Sequence, residues 1–494
     1  MNLSGKQFID LEMSILKRAV ASAEKTRGTA TIKSPEVKLI IKTVETFLRS
    51  NPLICYGGTA INNILPPRDQ FYDTATEFPD YDFYSTDALQ DAKRLADIYY
   101  KKGFMEVEAK AGVHFGTYKV FVNFLPVADI TQIDPVLFDN IGKEAIIVKG
   151  IRYAPPNLLR MGMYLELSRP NGDISRWEKV LTRISLLNKH YPLQGDECGT
   201  IEFERRFENM TADPDKLYHE TRQILIHEKV VFFGGFAMSV YSQHMTKTNA
   251  TRHRNPDFDV LSTDPETTVE RVCKVLERKG FDNIESFEHE GVGEIVPRHI
   301  EIRVGGETIA FVYESLACHN YNVIQVQGRG VNIATIDTIL SLYLAFTYTG
   351  ADYYDKRRLI CMSEYLFNVQ KQNRLSQKGV LRRFSLKCYG VQGTIEESRK
   401  EKGRQYELLR KKRAGIEWEQ WFLRYVPREM KGRASGRTPA RTPKRSSVVR
   451  SFARSSVARA SVHRTPARTI KKSTSSKRRT VKKRKSKRSF FDIF

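Results

Sequence analysis

The fold is decided by the stretch LICYGGTAINN at residues 53–63, followed by FPDYDFYSTD at residues 78–87. Both stretches recur 177 positions later, as VVFFGGFAMSV at residues 230–240 and NPDFDVLSTD at residues 255–264. In each copy the Gly-Gly pair precedes the Asp-x-Asp pair by 23 residues. A repeat of this length is far longer than a solenoid unit, so the sequence predicts a domain that is duplicated within the chain.

The order of elements in each copy predicts a mixed α/β domain. In the first copy an apolar strand ends at the Gly-Gly turn, a helix follows, and an aspartate-bearing strand leads into a second helix at residues 88–102. The β-rich stretch VHFGTYKVFVNFLPVADIT comes next, at residues 113–131. We therefore predict two mixed sheets flanked by helices. The predicted boundaries are an N-terminal helical segment at 1–50, a first domain at 51–195, a second domain at 196–330, a helical basic region at 331–430 and a disordered basic tail at 431–494.

The net charge of +24 comes almost entirely from the tail. Residues 431–494 hold 22 Lys and Arg against one acid, Asp492. A segment of this composition buries too little apolar surface to offset its chain entropy, which predicts disorder. The start of the chain lacks an apolar signal segment, and no run reaches the ~18 apolar residues of a membrane span. We expect a protein that is neither secreted nor membrane-bound.

The cysteines predict neither a zinc site nor a disulfide framework, because no two of them stand at CxxC spacing. They fit free thiols in a reducing compartment, most of them small core residues. The six are Cys55, Cys198, Cys273, Cys318, Cys361 and Cys388.

Asp80 and Asp82 carry the predicted chemistry of the first copy. Residues two apart in a strand share a face, so both carboxylates can point at one spot. A third carboxylate from a neighbouring strand would complete a set of hard oxygen ligands suited to Mg²⁺. Asp129 is the predicted third ligand, since its rival Asp134 is followed by Pro135, which suggests that the strand has ended. Such a trio can hold two ions ~3.5–4 Å apart for nucleotidyl transfer.

Gly57 and Gly58 predict a phosphate-binding turn beside these acids. Glycines allow a triphosphate to approach the backbone closely, and the following helix offers free N–H groups at its N-terminus. Thr59 would add a hydroxyl. Taken alone, an Asp-x-Asp pair is more often a solvated turn and a Gly-Gly pair only a turn. Their combination at this spacing favours a nucleotidyltransferase site.

The second copy lacks part of this constellation. The offset of 177 from Asp129 leads to Gly306, and Phe236 stands where the first copy has Thr59. Glu301 and Glu307 lie nearby but out of register. We therefore predict that the second domain is an inactive scaffold or RNA platform.

Two basic segments are candidates for nucleic-acid contact. Trp177, Lys179 and Arg183 share a predicted helix, where they could stack on a base and neutralise phosphates; a buried Trp with a solvated basic face explains the pattern equally well. A second stretch at residues 382–413 mixes basic and aromatic side chains, which suits single-stranded nucleic acid. A charged surface helix remains its alternative.

The motifs YGGTAINN, FPDYDFYSTD and VNFLPVADIT resemble those of the poly(A) polymerase catalytic subunit of large DNA viruses, a group that includes poxviruses, African swine fever virus and giant amoebal viruses. IDTILSLYLAF, YYDKRRLICM and NRLSQKGVLRRF extend the resemblance, which covers about residues 35–415. The tail lies outside it.

The resemblance implies a polymerase-β-like nucleotidyltransferase that adds AMP from ATP to the 3′ end of viral mRNA, with Mg²⁺ or Mn²⁺. It matches Asp80, Asp82 and Asp129 to the metal-binding acids, and Gly57 and Gly58 to the phosphate turn. It implies a place in the virion and the host cytoplasm. Whether the chain acts alone, as a homodimer or with a processivity subunit stays open, as do an inert scaffold role and a different base preference.

Overall fold

The computed structural model of this chain describes residues 5–200, 213–245, 256–293 and 295–427. The predicted tail lies outside the described residues. Fourteen helices are described: α1 Gly5–Lys33, α2 Pro35–Ser50, α3 Gly57–Ile64, α4 Ala88–Lys101, α5 Pro135–Lys143, α6 Pro156–Leu167, α7 Trp177–His190, α8 Pro214–His227, α9 Gly235–Ser242, α10 Pro265–Arg278, α11 Ile336–Phe346, α12 Lys356–Gln372, α13 Ile395–Leu409 and α14 Ile416–Phe422.

The strands form two sheets of eight. Across the first sheet they lie in the order β16-β3-β4-β5-β2-β1-β7-β6, and across the second in the order β10-β11-β12-β9-β8-β14-β13-β15. Their bounds are β1 Ile54–Tyr56, β2 Tyr81–Ser85, β3 Val107–Ala111, β4 Thr117–Val122, β5 Leu125–Gln132, β6 Ile146–Val148, β7 Ile151–Tyr153, β8 Val231–Phe232, β9 Phe258–Ser262, β10 Ile284–His289, β11 His299–Val304, β12 Glu307–Glu314, β13 His319–Val326, β14 Arg329–Ala334, β15 Cys388–Tyr389 and β16 Arg424–Tyr425.

The two sheets repeat one topology, which confirms the predicted duplicated α/β fold. β2 pairs in parallel with β5 and antiparallel with β1, and β9 pairs in the same way with β12 and β8. The helix after the acid-bearing strand, α4 or α10, packs on one face of its sheet in each copy. The core is continuous through both copies.

The buried side chains of α4 explain why it lies on the sheet. Leu89, Leu95 and Tyr99 point inward at helical spacing, and alternate residues of the strands beneath are buried against them. Tyr118 and Val120 of β4 face this helix layer, while Lys119 between them faces the other way. The opposite face of β3 and β4 is therefore only half-buried.

The segment after the second copy returns to both sheets. It contributes α11 to α14, in keeping with a helical region, and two short strands. β15 pairs with β13 at one end of the second sheet, and β16 pairs with β3 at one end of the first. The C-terminal region thus completes an edge of each sheet.

Two disulfides contradict the prediction of free thiols. Cys198 is bonded to Cys361, and Cys318 to Cys388. The partners lie 163 and 70 residues apart in the sequence, so their spacing carried no CxxC-like signal. Cys55 and Cys273 are free. Among the described helices, none is both long enough and apolar enough to span a bilayer.

Candidate active site

The three predicted acids lie at neighbouring positions in the first sheet. Asp82 of β2 is paired in register with Asp129 of β5, so their side chains share a face. Asp80 stands two residues before Asp82, directly ahead of the strand, and belongs to the same face. The parallel pairing of β2 with β5 therefore converts two distant sequence segments into one acidic cluster.

The carboxylates are close enough to perturb one another. Burial raises the pKa of Asp82 well above its usual range, and the negative charges of Asp80 and Asp129 raise it further. Partial enclosure of its carboxyl and the charge of Asp129 also raise the pKa of Asp80, although the residue as a whole is exposed. Mutual repulsion of this kind is relieved when a cation binds between the carboxylates.

Lys119 of β4 supplies a positive charge to the cluster. Its ammonium forms an ion pair with Asp129, directly opposite it in the antiparallel register. Within the described residues, no three His, Cys, Asp or Glu side chains already stand in the geometry of a metal site. The donor set nevertheless fits Mg²⁺, since three carboxylates lie at neighbouring positions of one sheet face and the charges of Asp80 and Asp129 act on Asp82.

Gly57 and Gly58 follow β1 directly and are the first residues of α3. We call this change of direction the glycine turn. Gly57 has a φ of +71°, and a Cβ there would lie 2.7 Å from Oδ2 of Asp82. A Cβ on Gly58 would collide with the Tyr72 hydroxyl and lie 2.9 Å from Nη1 of Arg183. Only glycine therefore lets this turn lie against the acids on one side and a guanidinium on the other.

Thr59 is placed differently from the prediction of a phosphate contact. It is buried, and its hydroxyl donates to the carbonyl oxygen of Asp80. Thr59 therefore joins α3 to the residue that precedes β2, and it holds Asp80 in place instead of facing a ligand.

Three basic side chains at and just before the start of α7 lie near the glycine turn and the acids: Arg176, Lys179 and Arg183. The positive charge of Arg176 acts on Asp82, and that of Lys179 acts on Asp80. Burial and the neighbouring charges of Arg183 and Arg176 lower the pKa of Lys179. The spacing of three and four residues puts these side chains on one helix face. These three side chains therefore concentrate positive charge beside the glycine turn and the acids.

Arg183 and Arg176 are fixed by specific partners. Nη2 of Arg183 donates to the Tyr72 hydroxyl at 2.7 Å, and its guanidinium lies 4.6 Å from the centre of the Phe71 ring. Arg176 Nε lies 3.0 Å from Oε1 of Glu166. Arg176, Tyr72 and Lys119 were not predicted, because these side chains come from different elements and meet the acids only in the folded chain.

Trp177 follows the structural alternative that the sequence left open. Its Nε1 donates to the carbonyl of Glu166 at 3.0 Å, and its ring lies 5.9 Å from that of Phe384. The indole is therefore engaged in packing.

The C-terminal basic stretch at residues 382–413 contains both buried and exposed side chains. Arg383 forms a buried ion pair with Asp337, whereas Tyr406 of α13 remains exposed.

In the second copy the acid pair is neutralised by an arginine of the same chain. Nη2 of Arg358 lies 3.2 Å from Oδ2 of Asp257, the counterpart of Asp80. Burial alone would lower the pKa of Arg358, but the charges of Asp257 and Asp259 raise it overall. A side-chain cation from α12 thus neutralises the acid pair.

Phe311 occupies the position in the second copy that corresponds to Asp129. The predicted counterpart, Gly306, was therefore wrong. Phe311 of β12 is paired in register with Asp259, as Asp129 is with Asp82. Its ring packs 5.6 Å from those of His299 and Tyr353. Aromatic side chains therefore occupy the position that the first copy gives to a carboxylate.

Comparison with known proteins supports the family resemblance over the first copy. Residues 42–173 match the family model of the poly(A) polymerase catalytic subunit. The candidate poly(A) polymerase catalytic subunit of Acanthamoeba polyphaga mimivirus is 34% identical over 163 residues, which cover 32% of this chain and 27% of that protein. Its counterpart in African swine fever virus, isolate Tick/Malawi/Lil 20-1/1983, is 33% identical over 164 residues, covering 32% of this chain and 34% of the relative.

The matches to these relatives span about a third of their length. The crystal structure of the Megavirus polyadenylate synthase extends the likeness of fold to most of the chain. It superposes with a TM-score of 0.70 at 22% sequence identity, and covers 83% of this chain and 84% of the other. This similarity confirms the predicted mixed α/β architecture over most of the chain.

Proposed function

We propose that this chain is a template-independent poly(A) polymerase that transfers AMP from ATP to the 3′ end of viral mRNA. The observation that carries the proposal is the registered pair Asp82 and Asp129, with Asp80 beside them and the Gly57 turn in contact with Asp82. The match of residues 42–173 to the catalytic-subunit family supports the choice of reaction.

The side chains have separate roles in this proposal. Asp80, Asp82 and Asp129 would hold divalent ions, Mg²⁺ or Mn²⁺, which would supply activation of the 3′-hydroxyl and charge stabilisation at the pyrophosphate. Lys119, whose ammonium forms an ion pair with Asp129, places a positive charge beside the expected position of the RNA 3′ end. The protein contributes chiefly positioning and charge stabilisation, as is general for phosphoryl transfer.

The triphosphate lies at the glycine turn. The N-terminal amides of α3 offer donors to its oxygens, and Gly57 and Gly58 leave room for their approach. Arg176, Lys179 and Arg183 neutralise its charge from the facing helix. Tyr72 holds Arg183 against the turn, so its loss is expected to raise the KM for ATP more than it lowers kcat.

An extension assay tests the function. The chain is incubated with an oligo-RNA, Mg²⁺ or Mn²⁺ and each of the four NTPs in turn. A ladder of longer products with ATP alone supports the proposal. A ladder with UTP instead would make the enzyme a terminal nucleotidyltransferase of another base preference, and an unchanged RNA under every metal and salt condition would leave an inert nucleic-acid scaffold.

A matched pair of variants localises the reaction. Asp82→Asn is expected to reduce extension by at least about 10³-fold, since it removes a carboxylate from the centre of the acidic cluster. Asp259→Asn makes the same change at the corresponding position of the second copy and should retain activity. RNA retention and thermal unfolding of both variants check that the fold survives. Equal loss in the two variants would contradict the assignment of chemistry to the first copy.

Partners and location form part of the proposal. The substrates are ATP and an RNA 3′ end, in the virion or in the host cytoplasm. The catalytic-subunit name of the family suggests a second, processivity-promoting subunit. A homodimer is the other arrangement to test, by light scattering of the purified chain with and without RNA.

A further inference from the structure

A line of cations crosses the first sheet from its acids to its edge. Asp129 of β5 is in register with Lys119 of β4, Lys119 with Lys110 of β3, and Lys110 with Arg424 of β16. Cross-strand partners project from the same face. At ~4.8 Å per strand, Lys110 lies about 10 Å and Arg424 about 14 Å from Asp129 across the sheet. We call Lys119, Lys110 and Arg424 the cation row.

The cation row lies on the side of the sheet that helix α4 leaves open. Tyr118, Val120 and Val122 of β4 are buried, whereas the alternating residues Lys119 and Phe121 are half-buried. The side chains of Lys110 and Arg424 are 42% and 84% exposed. Partly to largely exposed charge therefore runs from the acidic cluster to the last strand.

One acid and one aromatic ring accompany the row. Glu108 lies 3.1 Å from Nε of Arg424 and 3.5 Å from Nζ of Lys110, so it spaces the two cations and leaves the row with a net positive charge. Nζ of Lys110 also lies 3.9 Å from the centre of the Phe121 ring. Cations interleaved with an aromatic face are what a single nucleic-acid strand requires.

The second copy serves as an internal control. The line that starts at Asp259 continues through Phe311 of β12, Glu301 of β11 and Phe287 of β10. None of these register positions holds a cation, and Glu301 stands where the first copy has Lys119; the neighbouring Arg303 is paired with Glu301 at 2.7 Å. The fold does not demand the cation row, which instead accompanies the intact acidic cluster.

We propose that the cation row is the path of the RNA strand upstream of its 3′ end. The inference rests on the proposed function, because it places the reacting hydroxyl at Asp129 and leads the preceding phosphates across β4, β3 and β16. Lys119 would meet the terminal phosphate, and Lys110 and Arg424 the next ones, with Phe121 beneath a base. The contacts are to backbone and ring faces, so the path accepts any RNA sequence.

The test compares Lys110→Gln/Arg424→Gln with the control Lys274→Gln/Arg278→Gln, which removes the same charge from exposed positions of α10 in the second copy. Each full-length protein is assayed for binding of a long oligo-RNA and for extension of that RNA and of a dinucleotide primer. Loss of two phosphate contacts should lower the salt slope of binding by about 1.4. The defect in affinity should therefore be about sevenfold larger at 50 mM than at 200 mM salt.

The row variant should also raise the KM for the long RNA while it leaves dinucleotide extension and the KM for ATP unchanged. Wild-type affinity and salt slope in the row variant would overturn the inference, as would an equal defect in the α10 control. A wild-type chain that binds RNA but extends neither primer would instead refute the proposed function, so the two failures are distinguishable.

Discussion

Replacing Arg358 by Met tests whether a side-chain cation has taken the place of bound metal in the second copy. Arg358 and Asp257 are 3.2 Å apart, with side-chain exposures of 22% and 3%. At an effective dielectric constant of about 20 their direct attraction is about 5 kcal/mol. Removal of one partner from a buried pair costs about 3–5 kcal/mol, because the other charge stays buried. Since Arg358 is partly solvated, we expect about 3 kcal/mol of lost stability.

The double variant Arg358→Met/Asp257→Asn separates loss of the pair from loss of packing. It removes the buried charge of Asp257 along with its partner, whereas the half-buried Asp259 keeps its carboxylate, so about 1.5 kcal/mol of stability should return relative to Arg358→Met alone. Arg357→Met is the matched control on the same helix. Its guanidinium pairs with Glu197 at the surface, and loss of that contact should cost less than about 1 kcal/mol.

Urea unfolding of the full chain, combined with hydrogen exchange of peptides from β9 and α12, measures these changes where they occur. Faster exchange in β9 is expected for Arg358→Met and near-normal exchange for the double variant. A Met variant that unfolds at the wild-type urea concentration, or a double variant no more stable than the single one, would refute the role given to Arg358.

The remaining predictions concern acid stability, disulfides and the tail. Burial lowers the pKa of His299 to about 4, so stability should fall as pH drops from ~6.5 towards 4, by up to about 3 kcal/mol, and His299→Gln should flatten this part of a melting-temperature profile. Reduction of the disulfides should lower the melting temperature. The double variant Cys318→Ser/Cys388→Ser should lose ~2–4 kcal/mol of unfolding free energy under oxidising conditions. A double variant as stable as the oxidised wild type would contradict this. Deletion of residues 431–494 should weaken RNA binding more at low salt than at high salt, whereas equal loss at both would indicate specific tail contacts.

The duplicated fold was predictable because its signals are local. Glycines that permit a close turn, and acids two apart in a strand, keep their spacing in both copies, so the sequence alone aligned α3 with α9 and β2 with β9. Asp129 was also predictable, since it lies in a β-rich stretch whose end is marked by Pro135. Each inference needed only short-range spacing and side-chain alternation.

The third position of the second copy was out of reach for a geometric reason. Asp82 and Asp129 are 47 residues apart, whereas Asp259 and Phe311 are 52 apart, so a constant offset leads to Gly306 in a turn. Strand register absorbs such insertions in the connecting loops, and sequence spacing does not reveal it. Arg358 was missed because it comes from a helix that follows the second sheet.

Pairing across the sheet also hid Lys119 and the cysteine partners. Nothing in the local sequence distinguishes a lysine opposite an acid from one that faces solvent. The same holds for Cys318 and Cys388, which become neighbours only when β15 joins β13. Long-range partners become predictable once the order and register of the strands are known.

The strand β16 makes completion of the first sheet depend on residues that are synthesised long after the rest of that sheet. β3 lies in the first quarter of the chain, but its outer partner Arg424–Tyr425 leaves the ribosome more than 300 residues later. Until then the nascent domain exposes an unpaired β edge, the kind of surface that recruits chaperones or foreign strands. A translation product that stops short of Arg424 would keep its acidic cluster while its sheet edge remained open to aggregation.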